Sequence, residues 1–255
     1  MVGVTMVLSG PKRRAVVQLF AYDEPRIIGP TMDAYAAAPV PDGWSVDYEA
    51  WVTPTPDKRT MRAAGAHDTF MAFHAPTGKL STRNKAHDLA MRDEYDVIVT
   101  ADADEPPADG SYLPNLLSPL EESGVVASTG FPEGEGVFGA VMNAVRRVDH
   151  LRQPIRGNTS AFETRAWATA GPFRVGAVPE TSIRLVRAEE EFTFRRRLEG
   201  EGEVVDAWDA NVRANDRRNV CSVQDALMPF GQSNAGYCGR RGVETFSPVD
   251  DGDEL

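Results

Sequence analysis

The sequence predicts an α/β domain built on a central, mostly parallel sheet with helices on both faces. Three observations predict it. The apolar runs are short and continuous, as strands buried on both sides require. Each run is followed by a turn and then by a stretch with helical spacing. The 255 residues, 42% apolar and 25% charged, suffice for one large core, and no internal repeat or low-complexity linker divides them.

The elements follow in order. Residues 15–21 (AVVQLFA) read as a buried strand ended by a Tyr-Asp-Glu-Pro turn. Residues 26–38 read as a helix stopped by Pro39 and Pro41. Residues 45–52 (SVDYEAWV) read as a second strand, closed by TPTPD, and 69–73 as a short third strand in an ambiguous stretch. Residues 82–92 place Ala86, Leu89 and Ala90 on one side of a helix. Residues 96–101 (DVIVTA) are the clearest buried strand and run straight into Asp-Ala-Asp-Glu-Pro-Pro. A helix over 112–123 and a strand over 124–129 follow. The second half is less regular: helices are expected at 137–151, 159–170 and 189–199, then a strand at 203–207. The acidic tail from Asp250 is expected to be disordered. We expect an N-terminal extension over 1–14, the α/β domain over 15–215 and a C-terminal segment over 216–255.

Charge narrows the function. The formal net charge is −11 and the isoelectric point near 4.9. Such a surface repels nucleic-acid phosphate and anionic headgroups, so no nucleic-acid partner is expected. Four lysines stand against 23 arginines, and acidity with so little lysine resembles proteins of salt-loving cells. Two cysteines make no disulfide framework. No stretch approaches the ~20 apolar residues of a membrane span. The basic residues Lys12, Arg13 and Arg14 follow the apolar start, the wrong order for a secretory signal. A cytoplasmic protein is expected, touching the inner face of a membrane only peripherally, through a partner or a lipid-linked substrate.

The chemistry concentrates at Asp102 and Asp104. Residues two apart on a strand point the same way, so both acids can leave the strand into one crevice, where open α/β sheets bind ligands. Two carboxylates there suit Mn²⁺ or Mg²⁺, which prefers hard oxygen donors and leaves positions for a diphosphate. Asp-x-Asp alone is a weak signal, because an acidic protein has many solvated turns. The apolar strand before it and the Pro-Pro after it strengthen it. His67, His74 and His87 have no metal-ligand spacing, and Phe162, Trp167 and Phe173 fit core packing better than sugar stacking. The sequence has no Gly-x-Ser-x-Gly, Walker A or Gly-x-Gly-x-x-Gly segment.

Five segments in order carry a resemblance: LFAYDE at 19–24, GKLSTRNKA at 78–86, DVIVTADADEPP at 96–107, RGNTSAFETRAWATAGPF at 156–173 and EEEFTFRRRLEGEGEVV at 189–205. Together they resemble the family 2 glycosyltransferases. The resemblance implies a GT-A-type, Rossmann-like fold, a nucleotide-sugar donor, a divalent metal cofactor and inversion at the anomeric carbon. It puts Ala21, Tyr22 and Glu24 on the nucleobase side, Lys79 and Arg83 near the nucleotide, Asp102 near ribose and metal, and Asp104 on the metal. It puts Gly157, Asn158 and Ser160 on the sugar and acceptor side. Inversion needs a carboxylate to take the acceptor's proton, and the alignment gives Glu189, or Glu190 on a one-residue slip.

The sequence also departs from the family. The acidic turn after the second strand is reduced to Asp57, and the late histidine is absent. Asn215 or Asp216, or Arg217 with Arg218, stand in its place. The expected function is therefore a metal-dependent inverting glycosyltransferase acting on a glycan or lipid-linked acceptor. The alternatives are a non-catalytic nucleotide- or glycan-binding relative and a sugar nucleotidyltransferase. The second would want a Gly-rich loop where Tyr-Asp-Glu-Pro stands.

Overall fold

The structure is a computed structural model that describes residues 12–75, 79–134, 139–140, 143–144, 159–173 and 193–213. Among the described residues, seven strands and five helices have defined bounds. In chain order they are β1 (Arg13–Ala21), α1 (Ile28–Ala37), β2 (Trp44–Val52), α2 (Arg59–Gly65), β3 (Met71–His74), α3 (Lys79–Arg92), β4 (Val97–Asp102), α4 (Tyr112–Leu117), β5 (Val125–Glu133), β6 (Thr159–Glu163), α5 (Thr164–Ala170) and β7 (Glu203–Arg213). A 3₁₀ turn, Ser118–Glu121, extends α4, and residues 193–199 are helical.

The strands form one sheet in the order β3-β2-β1-β4-β6-β5-β7. β3, β2, β1 and β4 are mutually parallel, and β5 and β7 are parallel to each other. β6 runs antiparallel between β4 and β5. The mostly parallel α/β architecture expected from sequence is what the chain adopts.

The strand pleat sorts the core into two layers. Ala15, Val17, Leu19, Val97, Val99 and Ala101 face a cluster made with Ile28, Met32 and Tyr35 of α1, Ala64 of α2 and Leu113, Leu116 and Leu117 of α4. Their neighbours Val16 and Ile98 face the opposite cluster, where Ala90 of α3, Ala166 and Trp167 of α5, Phe162, Phe194 and Leu198 meet. Every residue of β4 is buried, which is why its sequence reads as an unbroken apolar run.

Several elements differ from expectation. The helix expected over 159–170 is a strand followed by a helix. Thr159–Glu163 is buried on both faces and bonds to both neighbours, and α5 starts only at Thr164. A short buried strand that abuts a helix leaves no break in the apolar pattern, so periodicity alone cannot separate them. Helix α2, which begins just after the TPTPD stretch, was not expected. Asp57 supports its start by accepting the Arg59 N–H at 3.1 Å. β5 and β7 run several residues beyond the expected 129 and 207, because each supplies the other's hydrogen bonds out to Glu133 and Arg213. Most of the helix expected over 137–151 and the acidic tail lie outside the described residues. No helix among the described residues is long and apolar enough to cross a membrane.

Candidate functional site

Asp102 is the last residue of β4, at the C-terminal edge of the central strands. Its position on the pleat directs it toward α3, and there Arg83 Nη2 donates to Asp102 Oδ1 at 3.1 Å. Both side chains are almost wholly buried, at 3% and 8% exposure. The Arg83 guanidinium also lies 5.5 Å from the centre of the Phe20 ring, so β1 packs against the same cation. Removing either charge would leave the other buried without its counter-charge, which is costly.

Asp104 is also buried, as is Glu105. The Glu105 N–H donates to the Asp102 carbonyl at 3.1 Å, which closes a turn with Ala103 and Asp104 at its corners. The turn is tied to three other elements. The Ala103 N–H donates to Phe20 O of β1 at 2.9 Å. Thr31 Oγ1 of α1 donates to Ala103 O at 2.7 Å, and Tyr35 OH reaches Glu105 O at 3.4 Å. Beyond the turn, the Arg213 N–H donates to Pro106 O at 2.8 Å and the Ala108 N–H to Asn211 O at 2.9 Å. The end of β7 thus crosses the chain that leaves the two aspartates. Burial first, then the neighbouring Tyr112, Glu105 and Asp102, push the Tyr35 phenol well above its ordinary range. Burial pushes Tyr112 up to about 12. Both phenols therefore stay protonated and able to donate.

On the first strand, Ala21 is buried and Tyr22 is 42% exposed. Glu24 is half-buried; its N–H donates to Thr60 Oγ1 at 2.9 Å, and its carboxylate receives the Tyr22 N–H at 3.4 Å. The end of β1 is thereby set against α2. Lys79 opens α3, and its side chain lies outside the described residues. Ser160 is buried within the sheet, its hydroxyl donating to Thr129 Oγ1 at 2.9 Å and its carbonyl accepting from Thr100 Oγ1 at 3.2 Å. Gly157, Asn158, Glu189 and Glu190 lie outside the described residues. Asp57, the remnant of the acidic turn, accepts from Thr55, from the Arg59 N–H and from the Arg59 side chain. These bonds, the backbone one first, hold its carboxyl below the usual range.

Sequence reasoning did not single out Thr31, Asn84 or Glu105. Asn84 follows Arg83 and clasps the backbone of Phe173, donating to its carbonyl at 3.0 Å and accepting its N–H at 2.9 Å. The only signal for Glu105 was its place in the Asp-Ala-Asp-Glu run. Thr31 is 72 residues from its partner and carried no signal. Behind the site, His87 is buried amid Phe162, Trp167 and Phe173, and its Nδ1 lies 2.6 Å from Gln18 Oε1. Gln18 Nε2 and Trp51 Nε1 both donate to Glu49 Oε2, at 2.9 and 2.8 Å. His87 is a packing residue in this layer.

Among the described residues, no three His, Cys, Asp or Glu side chains group to enclose a metal ion. The acids of the Asp102–Glu105 turn still fit Mn²⁺ or Mg²⁺ as a donor set. Such ions accept one or two carboxylates and fill the rest of their shell with phosphate oxygens and water.

No protein-family model matches the sequence, and no curated protein matches it. Solved structures do resemble it. A mannosyltransferase from Pyrobaculum calidifontis, in complex with GDP-Man and Mn²⁺, superposes with a TM-score of 0.58 at 16% identity, over 89% of this chain and 68% of that one. Glucosyl-3-phosphoglycerate synthase from Mycobacterium tuberculosis, in complex with Mn²⁺, uridine diphosphate and phosphoglyceric acid, gives 0.53 at 16% identity, over 91% and 80%. A further mycobacterial protein gives 0.53 at 19% identity, over 94% and 80%. With the seven strands of its described residues in the order 3-2-1-4-6-5-7, the chain has the GT-A fold of the mannosyltransferase and the synthase.

Proposed function

We propose that the protein is a metal-dependent, inverting glycosyltransferase that moves a sugar from a nucleotide-diphosphate donor to the hydroxyl of a glycan or lipid-linked acceptor. The observation that carries this reading is the buried Asp102–Ala103–Asp104 turn at the C-terminal edge of the central strand of a GT-A sheet. That edge is where open α/β sheets bind ligands. The two glycosyltransferase neighbours support it: one is in complex with GDP-Man and Mn²⁺, the other with Mn²⁺ and uridine diphosphate.

Asp102 and Asp104 would hold Mn²⁺ or Mg²⁺, which when bound neutralises charge on a departing diphosphate. Arg83 keeps Asp102 in place through its buried ion pair. Ala21, Tyr22 and Glu24 would border the nucleobase, with Lys79 near the nucleotide. Gly157 and Asn158 would border the sugar and acceptor, with Ser160, buried in the sheet, supporting that side from behind. Glu189 or Glu190 would take the proton from the attacking hydroxyl. The protein would act at the cytoplasmic side of a membrane when its acceptor is lipid-linked.

A thermal-shift series with UDP, GDP and dTDP, each with and without Mn²⁺, tests the reading. Bound ligand raises apparent stability as RT ln(1 + [L]/Kd), so the donor class shows without knowledge of the acceptor. Asp104→Ala is expected to abolish the Mn²⁺-dependent part of the shift. A wild-type protein that responds to none of the three nucleotides with Mn²⁺ refutes the proposal.

A second reading, a relative that binds a nucleotide or glycan without transferring a sugar, rests on the shortened β2 turn, whose remaining acid Asp57 is committed to Thr55 and Arg59, and on the absent late histidine. Donor binding with no transfer to any acceptor in a screen would select it.

A further inference from the structure

We infer that Thr31 is a positioning residue for the metal site: its hydroxyl sets the orientation of the peptide that carries Asp104. The inference rests on the glycosyltransferase reading of the Asp102–Asp104 turn and adds to it a residue from a distant element.

The turn closes with the Glu105 N–H on Asp102 O at 3.1 Å. In such a four-residue turn the two common types differ by a half-rotation of the middle peptide, here the one joining Ala103 to Asp104. The rotated form needs a positive φ at the third residue. Aspartate is one of the few side chains that tolerates that conformation. The local sequence therefore permits both forms, and they send the Asp104 side chain in different directions. In this structure Asp104 is not among the residues with positive φ.

What selects this form is the carbonyl of that middle peptide. Ala103 O accepts the Thr31 hydroxyl at 2.7 Å, with Thr31 1% exposed and Ala103 fully buried. A half-rotation would carry the carbonyl away from the hydroxyl and leave both groups buried without this bond, which is unfavourable. The Ala103 N–H is fixed separately by Phe20 O at 2.9 Å. The peptide on the Asp104 side is held instead from α1, whose Tyr35 also reaches the Glu105 carbonyl at 3.4 Å. Thr31 has the means to hold that position: it lies on a packed helix between Ile28, Met32 and Tyr35, all buried.

The test compares Thr31→Val with Thr31→Ser. Valine keeps the shape and removes the donor, and serine keeps the donor. The readout is the Mn²⁺ concentration that half-saturates the thermal shift at saturating GDP or UDP, followed in parallel by Mn²⁺ electron paramagnetic resonance. Thr31→Val is expected to weaken Mn²⁺ about tenfold, in the range found when a residue that orients a metal ligand is lost. Thr31→Ser is expected to stay within about twofold of wild type by the same measure. A merely structural threonine would lower the melting temperature in the valine protein and leave the Mn²⁺ midpoint unchanged, which would overturn the inference. Should the valine protein not fold, Thr31→Ala supplies the same comparison, and an unchanged midpoint there has the same force. If wild type itself shows no Mn²⁺ response, the glycosyltransferase reading and this inference fall together. If wild type responds and the variants do not differ from it, only this inference falls.

Discussion

The two halves of the sheet are built differently. β1 and β2 pair over nine consecutive residues without a break, and β4 continues the same parallel register. β5 and β7 also run parallel, but their register shifts twice, between Val125 and Ala127 and again between Thr129 and Phe131. Those irregularities bend the long edge strand so that residues 211–213 meet both the end of β5 and the chain at Pro106–Ala108. The regular half fixes where the aspartates emerge. The irregular half reaches across and clamps the Pro106–Ala108 segment just beyond them. Regular pairing gives position, and interrupted pairing gives curvature.

The halves should answer mutation differently. The largest loss is expected in the aromatic layer beneath β6. Phe162 is 1% exposed, and its ring lies 5.5 Å from Phe194 and 5.3 Å from His87. Phe162→Ala is expected to cost about 3–5 kcal/mol in urea unfolding. A loss under about 1 kcal/mol would mean the layer collapses around the gap and is less tightly packed than these ring distances imply.

Glycine substitutions sharpen the contrast. A Cβ at Gly130 of β5 would lie 2.3 Å from Ala210 O and 2.6 Å from Thr159 Oγ1, where backbone must move. Gly130→Ala is expected to destabilise by about 1–3 kcal/mol. Gly29, in α1, has nothing within 4 Å of such a Cβ. Gly29→Ala is expected to stabilise by about 0.4–1 kcal/mol through the unfolded chain and helix propensity. Equal effects at the two sites, read as denaturation midpoints, would erase the distinction between a close-packed strand crossing and an open helix face.

The smallest effect is a pH slope from the layer behind the site. Burial, then the Arg83 charge, hold His87 well below its ordinary value of 6.5. Below that pH the unfolded chain takes up a proton that the folded chain refuses. Stability is therefore full above about 6.5 and declines as pH falls. Burial raises Glu49 from 4.5, although the bonds from Trp51 and Gln18 oppose this. Its contribution declines as pH rises from 4.5 toward the folded value, against the His87 slope. His87→Asn removes the histidine contribution only. Between about pH 5 and pH 7 its unfolding free energy should gain less with rising pH than that of wild type. Parallel curves would show that His87 does not titrate on unfolding.

Legibility in the sequence divides along the same line. β1, β2 and β4 announce themselves because strands covered on both faces must be apolar throughout. Asp102 and Asp104 stand out because polarity switches abruptly at the strand end. β6 was hidden because its five buried residues join α5 without a turn, and their partners on β4 and β5 are remote in sequence. The Asn84 clasp and the Thr31 hydroxyl were equally hidden. Each is an ordinary polar residue on a helix until a partner 89 or 72 positions distant arrives. Contacts between elements have no signature in local periodicity, and those two rest entirely on such contacts.

The Phe173 anchorage has an evolutionary consequence. Asn84 grips Phe173 by both backbone groups, and the Phe194 ring packs 4.5 Å from the Phe173 ring. Arg197 ties the same corner down by donating to Ala170 O and Pro172 O. One corner thus joins α3, the end of α5 and the helical residues 193–199, so Asn84, Phe173, Phe194 and Arg197 are constrained together and a change at one is expected to require a change at another.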